Sequence, residues 1–395
     1  MLIEEEVKKV DVLVIGAGLI GCAVAYGLSR SGFRVALVDK HEIGSGASSA
    51  NFGRIQIQDS EPGEMLDLIM RSASMFPSLV RDLGIDVEYE RSPALLVAES
   101  DAEWDALREM QEIKRRQGLD VRFVNKNELY ALEPYLDLRH VAGATLSPDE
   151  ARLNPLLYTR ALARRSREMG ALILENSPVI GFDVSQGRLR GAHISRGGMD
   201  IEIRCGAAVI CAGAWSMSIG AMVGLEIPVK FVIGEALVTE PVPRLIWNYF
   251  SLASFFETAH SGERAVSACC VQTEAGNLLL GEASQVKTGR ELPALESLKG
   301  GNLHFAVTAV SRDMSRFFPV MGRTSVIRMW RTFAPFTDDY RPVLGASGKV
   351  EGLFVCSGFK STVVVTPVVG ELVRDLITKG QRSIPSGITH QPLNL

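Results

Sequence analysis

Residues 10–40 read VDVLVIGAGLIGCAVAYGLSRSGFRVALVDK, and this stretch decides the fold. The apolar run at 10–15 is typical of a central parallel strand that is buried on both faces. A glycine-rich turn follows, then small and apolar residues at helical spacing, then Ser31-Gly32 as a stop before a second apolar run. The order strand, turn, helix, strand predicts a βαβ unit and therefore an α/β fold.

The turn Gly16-Ala17-Gly18-Leu19-Ile20-Gly21 predicts a dinucleotide-binding site. Its first glycine suits a tight turn, its second allows a diphosphate to come close, and Gly21 allows the helix to pack on the strand. Unpaired N–H groups at the helix start would face the diphosphate. Asp39 is placed to accept hydrogen bonds from a ribose. The motif alone does not separate NAD from FAD, and a purely structural turn is the alternative.

A loop of small and hydroxyl-bearing residues follows the second strand. Residues 44–54 read GSGASSANFGR and show no periodicity. Glycines and serines let the backbone wrap a second phosphate and approach a flat ring, so this loop favours FAD over NAD. A flexible surface loop is the alternative. The expected cofactor contacts in and next to the loop are Lys40, Ser48, Ser49, Asn51 and Gly53.

Composition and charge exclude several classes of protein. The chain has 395 residues, and 42 basic against 46 acidic side chains give a net charge of −4, so no single-sign field attracts nucleic acid or an anionic membrane. The acidic first ten residues and the lack of an apolar run of about 18 residues predict a cytoplasmic protein without a membrane span. The six cysteines lack metal-binding spacing, so no metal site is expected.

Three more segments, taken with the first, resemble the D-amino-acid-oxidase-like family of FAD-dependent amine oxidoreductases. They are AVICAGAWS at 208–216, WRTFAPFTDDYRPVLG at 330–345 and LFVCSGFKSTVVVTPVVG at 353–370. The resemblance covers nearly the whole chain, and NFGRIQIQ at 51–58 with the serine after GFK looks most like the B subunits of opine oxidases. It implies FAD as the cofactor. The further FAD contacts that it implies are Val179, Ala212, Gly213, Trp215, Gly358, Phe359, Lys360, Ser361 and Thr362.

The resemblance also implies two interleaved domains. A Rossmann-like FAD-binding domain would comprise residues 1–84, 147–219 and 330–395. An α+β substrate domain built on an antiparallel sheet would comprise residues 85–146 and 220–329, which contain the strand candidates ALLVAES, KFVIGEALVTE and GNLLLGEAS. In the closing segment, 353–357 is a predicted strand, and Thr366-Pro367 is expected to cap and open the last helix.

The chemistry implied by the resemblance is oxidation of the C–N bond of an amino acid or opine. In the family, the α-hydrogen leaves as a hydride to flavin N5, and water hydrolyses the imine to an oxo acid and an amine. The substrate carboxylate is the natural handle, and the likeness to monomeric sarcosine oxidase assigns it to Arg54 and Lys360. Ala334 stands where glycine oxidase carries a carboxylate-binding arginine. Arg341 is then the candidate for the second carboxylate of an opine.

Partner subunits that carry further redox centres are also implied. The segment EARLN at 150–154 has no histidine that could attach FMN covalently, so an FMN at a subunit interface would be noncovalent. The alternatives are a stand-alone glycine, D-amino-acid or sarcosine oxidase that produces peroxide, and a flavin-bearing subunit that only relays electrons. A nicotinamide-dependent opine dehydrogenase leaves the serine loop and the closing segment unexplained.

Overall fold

The computed structural model of the chain describes residues 9–254, 265–286, 298 and 304–390. The acidic start at 1–8 and the parts 255–264, 287–297 and 299–303 of the predicted substrate domain lie outside the described residues, as do the last five residues of the predicted FAD-binding domain. The helices are α1 Leu19–Arg30, α2 Glu64–Leu83, α3 Asp101–Arg116, α4 Lys126–Leu132, α5 Pro155–Glu168, α6 Ser216–Ala221, α7 His304–Phe317 and α8 Thr362–Lys379. No helix of the described part is long and apolar enough to cross a bilayer.

The strands form two large sheets and one small one. In the first half of the chain they are β1 Val10–Ile15, β2 Val35–Val38, β3 Arg54–Ile55, β4 Glu90–Arg91, β5 Ala94–Ala98, β6 Arg122–Val124, β7 Gly143–Ser147, β8 Ala151–Arg152, β9 Leu172–Leu174 and β10 Val179–Ser185. The remaining strands are β11 Arg188–Arg196, β12 Met199–Ile210, β13 Lys230–Pro241, β14 Tyr249–Leu252, β15 Ala265–Gln272, β16 Asn277–Val286, β17 Val326–Phe336, β18 Val343–Ala346 and β19 Leu353–Ser357.

The first sheet is the Rossmann-like sheet that the opening stretch predicts. Strands β9, β2, β1, β12 and β19 are parallel neighbours, and the hairpin β10–β11 extends β12 in antiparallel fashion. Val12, Leu13 and Val14 are completely buried, because helices cover one face of the sheet and the other face packs on residues of β10 to β12. The βαβ unit and the α/β fold are confirmed.

The helix that closes the first sheet begins earlier than the sequence predicts. The expected cap at Thr366-Pro367 is wrong, because α8 begins at Thr362 and Pro367 lies inside it. A proline cannot donate the N–H that would bond the carbonyl four residues back. The Thr366 hydroxyl donates to that carbonyl, on Val363, at 2.6 Å, so the helix continues through the proline. Its close crossing with α1 uses two glycines, since a Cβ on Gly27 would lie 2.6 Å from the Cα of Gly370.

The second sheet has the order β17, β13, β16, β15, β14, β5, β7, β6. Its neighbours are antiparallel except for the parallel pair β14 and β5. Helix α7 packs with a hydrophobic cluster on one face of this sheet, which leaves the other face turned towards the first sheet. Strand β17 belongs to the second sheet along its whole length, so the predicted domain boundary at residue 330 falls within a strand.

Candidate functional site

A cavity of about 520 Å³ lies between the two large sheets, a size common for cofactor and ligand sites. One wall is formed by the ends of β1, β2 and β19 and the loops that follow them. The opposite wall is formed by side chains of β13, β14, β16 and β17. Ligands of open α/β sheets bind outside the carboxyl ends of parallel strands, and this cavity occupies that position.

The start of α1 forms the phosphate-binding end of the cavity. Gly18 occupies the N-cap position and, as a glycine, has no side chain with which to cap the helix itself. The N–H of Leu19 donates to the Ser48 hydroxyl at 2.8 Å, and a Cβ on Gly18 would lie 2.8 Å from that same oxygen. The serine loop therefore closes directly over the helix start, where unpaired N–H groups and the positive end of the helix dipole favour an anion.

Asp39 is held next to this helix start by the backbone. One carboxylate oxygen accepts from the N–H of Ala17 at 2.6 Å, and the other accepts from the N–H of His41 at 2.8 Å. Burial raises the pKa of this carboxyl, although the two hydrogen bonds partly offset that effect. The carboxylate lines the cavity, and each oxygen keeps a lone pair for a ribose hydroxyl.

The start of α8 faces the same cavity from the far side. Residues 358–363 line the cavity, and Ser361 at the N-cap position makes no side-chain cap. Lys40 lies over the ring of Trp215, with its Nζ 4.1 Å from the ring centroid. Two helix N-termini, whose own N-cap residues make no side-chain cap, and a lysine thus surround one elongated cavity, which suits an extended, negatively charged cofactor.

Most of the predicted cofactor residues meet in this cavity. Those that line it are Gly16, Gly18, Asp39, Lys40, Ser48, Asn51, Val179, Ala212, Gly213, Trp215, Gly358, Phe359, Lys360, Ser361 and Thr362. Ala17, Gly21, Ser49 and Gly53 are not among the lining residues. Gly21 and Gly53 instead permit close packing, because a Cβ would lie 1.7 Å from the Gly16 carbonyl oxygen and 1.8 Å from that of Leu153, respectively. Ser49 is exposed.

Arg54 is a buried cation in the wall of the cavity. Its Nη2 donates to the carbonyl oxygen of Ser92 at 2.9 Å and lies 3.3 Å from a carboxylate oxygen of Glu150. The guanidinium carbon lies 4.6 Å from the ring centroid of Tyr249. Within the described part of the chain, its Nε and Nη1 have no hydrogen-bond partner. Burial lowers the pKa of this guanidinium, and the nearby Glu150 carboxylate opposes that shift.

Glu150 balances the charge of Arg54 and holds the segment that follows β3, the strand that carries Arg54. Its second oxygen accepts from the N–H groups of Ile57 and Gln58, at 3.1 and 3.0 Å. Burial raises its pKa to about 6, in spite of Arg54. Removing one member of such a buried pair would leave an uncompensated charge. The sequence motifs do not single out this residue as a partner of Arg54, because 96 positions separate them along the chain.

Of the two other predicted catalytic residues, the structure brings only one to the cavity. Lys360 lines it, donates from Nζ to the carbonyl oxygen of Asp59 at 3.0 Å, and lies 5.7 Å from the ring centroid of Tyr340. Arg341 is exposed and is not among the lining residues. Its backbone N–H donates to Asp339, in a turn at the surface.

Several cavity residues on the second sheet escape the sequence motifs, among them Glu235, Tyr249 and Glu282. Tyr249 on β14 is buried beneath Arg54, and Glu282 on β16 also lines the cavity. The only available signal for Glu282 is an acidic residue that interrupts the apolar strand NLLLGEAS. Tyr249 has no such signal, because its place depends on pairing between strands that are far apart in sequence.

Comparison with known proteins identifies the family. The chain matches the family described as DAO, FAD dependent oxidoreductase, over residues 11–376. It therefore belongs to this family of FAD-dependent oxidoreductases, and the predicted family, enzyme class and cofactor are confirmed. The start of α1, the serine loop and the start of α8 form a site that fits FAD, and these residues would hold it.

Three curated relatives match along most of their length. Glycine oxidase of Geobacillus kaustophilus is 29% identical, over 94% of this chain and 93% of that protein. The opine oxidase B polypeptide of Rhizobium meliloti is 27% identical, over 93% and 96%, and the sarcosine oxidase beta polypeptide of Rhodobacter capsulatus is 26% identical, over 95% and 86%. The crystal structure of the Geobacillus glycine oxidase superposes with a TM-score of 0.82, at 25% identity and 98% coverage of both chains.

Proposed function

We propose that this enzyme oxidises the C–N bond of an amine that carries a carboxylate, namely an amino acid or an opine. The product imine would be hydrolysed to an oxo acid and an amine. When bound, FAD supplies the acceptor for the two electrons of the C–H bond. The observation that carries the proposal is Arg54, a buried arginine in the wall of the cavity that the FAD-binding segments also line, with two donor nitrogens that have no hydrogen-bond partner among the described residues.

Arg54 is suited to a carboxylate for reasons of charge and geometry. A guanidinium presents its donors in a planar fork that matches the two oxygens of a carboxylate. Buried donors without partners cost free energy, and a substrate carboxylate would remove that cost. Glu150 pairs with one nitrogen of the guanidinium and Tyr249 lies beneath it, so its orientation is set before the substrate binds. Orientation of this kind is what hydride abstraction from a fixed C–H bond requires.

Whether the cavity suits a substrate with one carboxylate or with two depends on which cation lies in it besides Arg54. Lys360 lines the cavity, whereas Arg341 lies outside it. A simple amino acid would place its one carboxylate between Arg54 and Lys360. An opine would need each of these two cations to hold one carboxylate, because the structure gives no support for the predicted role of Arg341.

The direct test is anaerobic reduction of the FAD-loaded protein. The compounds are glycine, sarcosine, proline, D-amino acids, octopine and nopaline, and loss of the oxidised flavin absorbance is the measurement. Bleaching by at least one of them is expected. If none bleaches the flavin while dithionite does, the chain only relays electrons and the proposal is wrong.

We further propose that the chain works as the FAD-bearing subunit of a heteromeric enzyme, as the names of the opine and sarcosine oxidase relatives suggest. The similarity to glycine oxidase favours a second candidate, a stand-alone oxidase that produces peroxide. Affinity purification from the native host with a mass measurement separates them. Partner chains and little peroxide from the isolated protein support the first candidate, and stoichiometric peroxide from the isolated chain supports the second.

A further inference from the structure

Glu282 is a carboxylate in the cavity wall to which the oxidation proposed above gives no role. The pairing of β13 with β16 shifts by one residue at this point, from Glu235 opposite Ala283 to Leu237 opposite Leu280. Such a bulge re-aims a side chain. Leu280 and Ala283 pack in the hydrophobic cluster with α7, whereas Glu282 lines the cavity.

The carboxylate of Glu282 has no partner in the described residues. No hydrogen-bond donor or cation among them contacts it, and burial alone raises its pKa to about 7. The charge of Glu282 contributes to raising the pKa of the neighbouring Cys269 thiol on β15, which is mainly raised by burial. Gly234 on β13 and Thr332 on β17, which line the cavity beside it, carry no charge. An unpaired carboxylate in a cavity wall is costly unless a ligand supplies a donor.

The position of Glu282 relative to Arg54 limits what that ligand is. Tyr249, beneath Arg54, is on β14, and Glu282 is on β16, with β15 between them. The phenol of Tyr249 and the carboxylate of Glu282 both act on the thiol of Cys269, which lies on the strand between them. A zwitterion with its carboxylate at Arg54 and its ammonium at Glu282 would pair with both of these charged groups of the cavity wall, through a charge-assisted hydrogen bond at each end.

We propose that Glu282 binds the amino nitrogen of the substrate and accepts the proton that this nitrogen loses before the C–H bond breaks. The inference rests on the proposed function and adds a substrate-binding residue to it. In this step an N–H bond of the ammonium breaks and an O–H bond forms on Glu282. The products are a neutral amine and a carboxylic acid, with no change in oxidation state. The nitrogen lone pair is then free to form the C=N bond.

The test uses two ligands that differ only at the nitrogen. In 2-aminoisobutyrate the α-carbon carries an ammonium and no hydrogen, so the compound cannot be oxidised; in pivalate a methyl group replaces the ammonium. Titration calorimetry on the FAD-loaded protein measures both affinities. Glu282→Gln, of equal size, is the variant. Glu274→Gln, an exposed residue in the turn of the same hairpin, is the matched control.

We expect Glu282→Gln to lower the affinity for 2-aminoisobutyrate about tenfold or more. The affinity for pivalate should stay within about twofold of the wild-type value, since only the charged hydrogen bond is removed. Glu282→Asp, which keeps the charge, should retain part of the preference, and the control should change neither affinity. Equal effects on both ligands, or no effect on either, would overturn the role of Glu282 and leave Arg54 untouched. If the wild-type protein binds neither compound, the proposed function falls, and this inference falls with it.

Discussion

The two walls of the cavity are built by different means. On the side of the first sheet, the contacts come from backbone N–H groups at two helix starts and from glycines that permit close approach. On the opposite side, they come from side chains, above all Arg54 on β3 and Tyr249 and Glu282 on the second sheet. A cofactor that the members of a family share can be held by backbone geometry, which the local sequence determines. The choice of substrate depends on side chains that only long-range pairing brings together.

The largest effect should come from breaking the backbone wall. Gly21→Ala places a Cβ 1.7 Å from the Gly16 carbonyl oxygen, so the turn must move. We expect loss of bound FAD and a stability cost of about 1–3 kcal/mol or more, measured by flavin content and thermal unfolding. Gly206→Ala, where a Cβ meets no atom within 4 Å, is the control. Full FAD content in Gly21→Ala would show that the tight turn is not needed.

On the side-chain wall, the pH profile should depend on Glu282. Its pKa of about 7 lies above the ordinary 4.5, so the carboxylate becomes protonated as the pH falls through about 7. Because only the ionised form attracts an ammonium, kcat/KM of the wild-type enzyme should decline below that pH. Glu282→Gln should have a lower kcat/KM at neutral pH and lack this decline. An unchanged profile in the variant would assign the decline to another group.

Glu133 is a buried carboxylate with a similar pKa and a different setting. Burial raises its pKa to about 7, but it accepts hydrogen bonds from the N–H groups of Trp247 and Asn248 and from the Asn248 side chain. It does not line the cavity. Its role is therefore structural: it ties the end of α4 to the segment before β14.

The Glu133 carboxyl should make stability depend on pH. The native state keeps the proton between pH 4.5 and about 7 while the unfolded state loses it, so this group lowers the free energy of unfolding as the pH rises through that window. As the pH rises through this window, the free energy of unfolding of Glu133→Gln should increase relative to that of the wild type by at most about 3 kcal/mol. Denaturant unfolding at several pH values measures it. A constant difference across the window would contradict the assignment.

The smallest effect is expected at Arg341. Because its side chain is exposed and lies outside the cavity, Arg341→Ala should change KM by no more than about twofold for both monocarboxylate and dicarboxylate substrates. Steady-state kinetics with an amino acid and an opine provide the measurement. A selective rise in the KM of the dicarboxylate would restore the role that the sequence hypothesis gives to Arg341.

The same contrast explains what can be predicted from sequence. The βαβ unit, the serine loop and the strand β19 follow from local pattern, because strand burial, turn chemistry and helix spacing all act within about 30 residues. The prediction for the start of α8 is wrong, since proline normally marks a first turn and the compensating Thr366 hydroxyl has no sequence signature of its own. The position of Glu150 near the cavity depends on the pairing of β3 with β8, and that of Glu282 depends on a bulge between β13 and β16. Neither feature can be recognised from the local sequence.

The role of Arg54 as the anchor of the substrate carboxylate is tested most directly by comparing an amino acid with its primary amide. The variant is Arg54→Met combined with Glu150→Gln, which removes both charges of the buried pair and so avoids an uncompensated carboxylate. Arg328→Met, on the exposed part of β17, is the control. The measurement is the anaerobic rate of flavin reduction by the amino acid that reduces the wild-type enzyme fastest and by its amide.

The wild-type enzyme and the control should prefer the acid by at least about 100-fold, because two charge-assisted hydrogen bonds are lost with the amide. The double variant should retain its FAD, and its preference should fall below about tenfold. A double variant that still prefers the acid by about 100-fold would contradict this role of Arg54 and place the carboxylate elsewhere in the cavity.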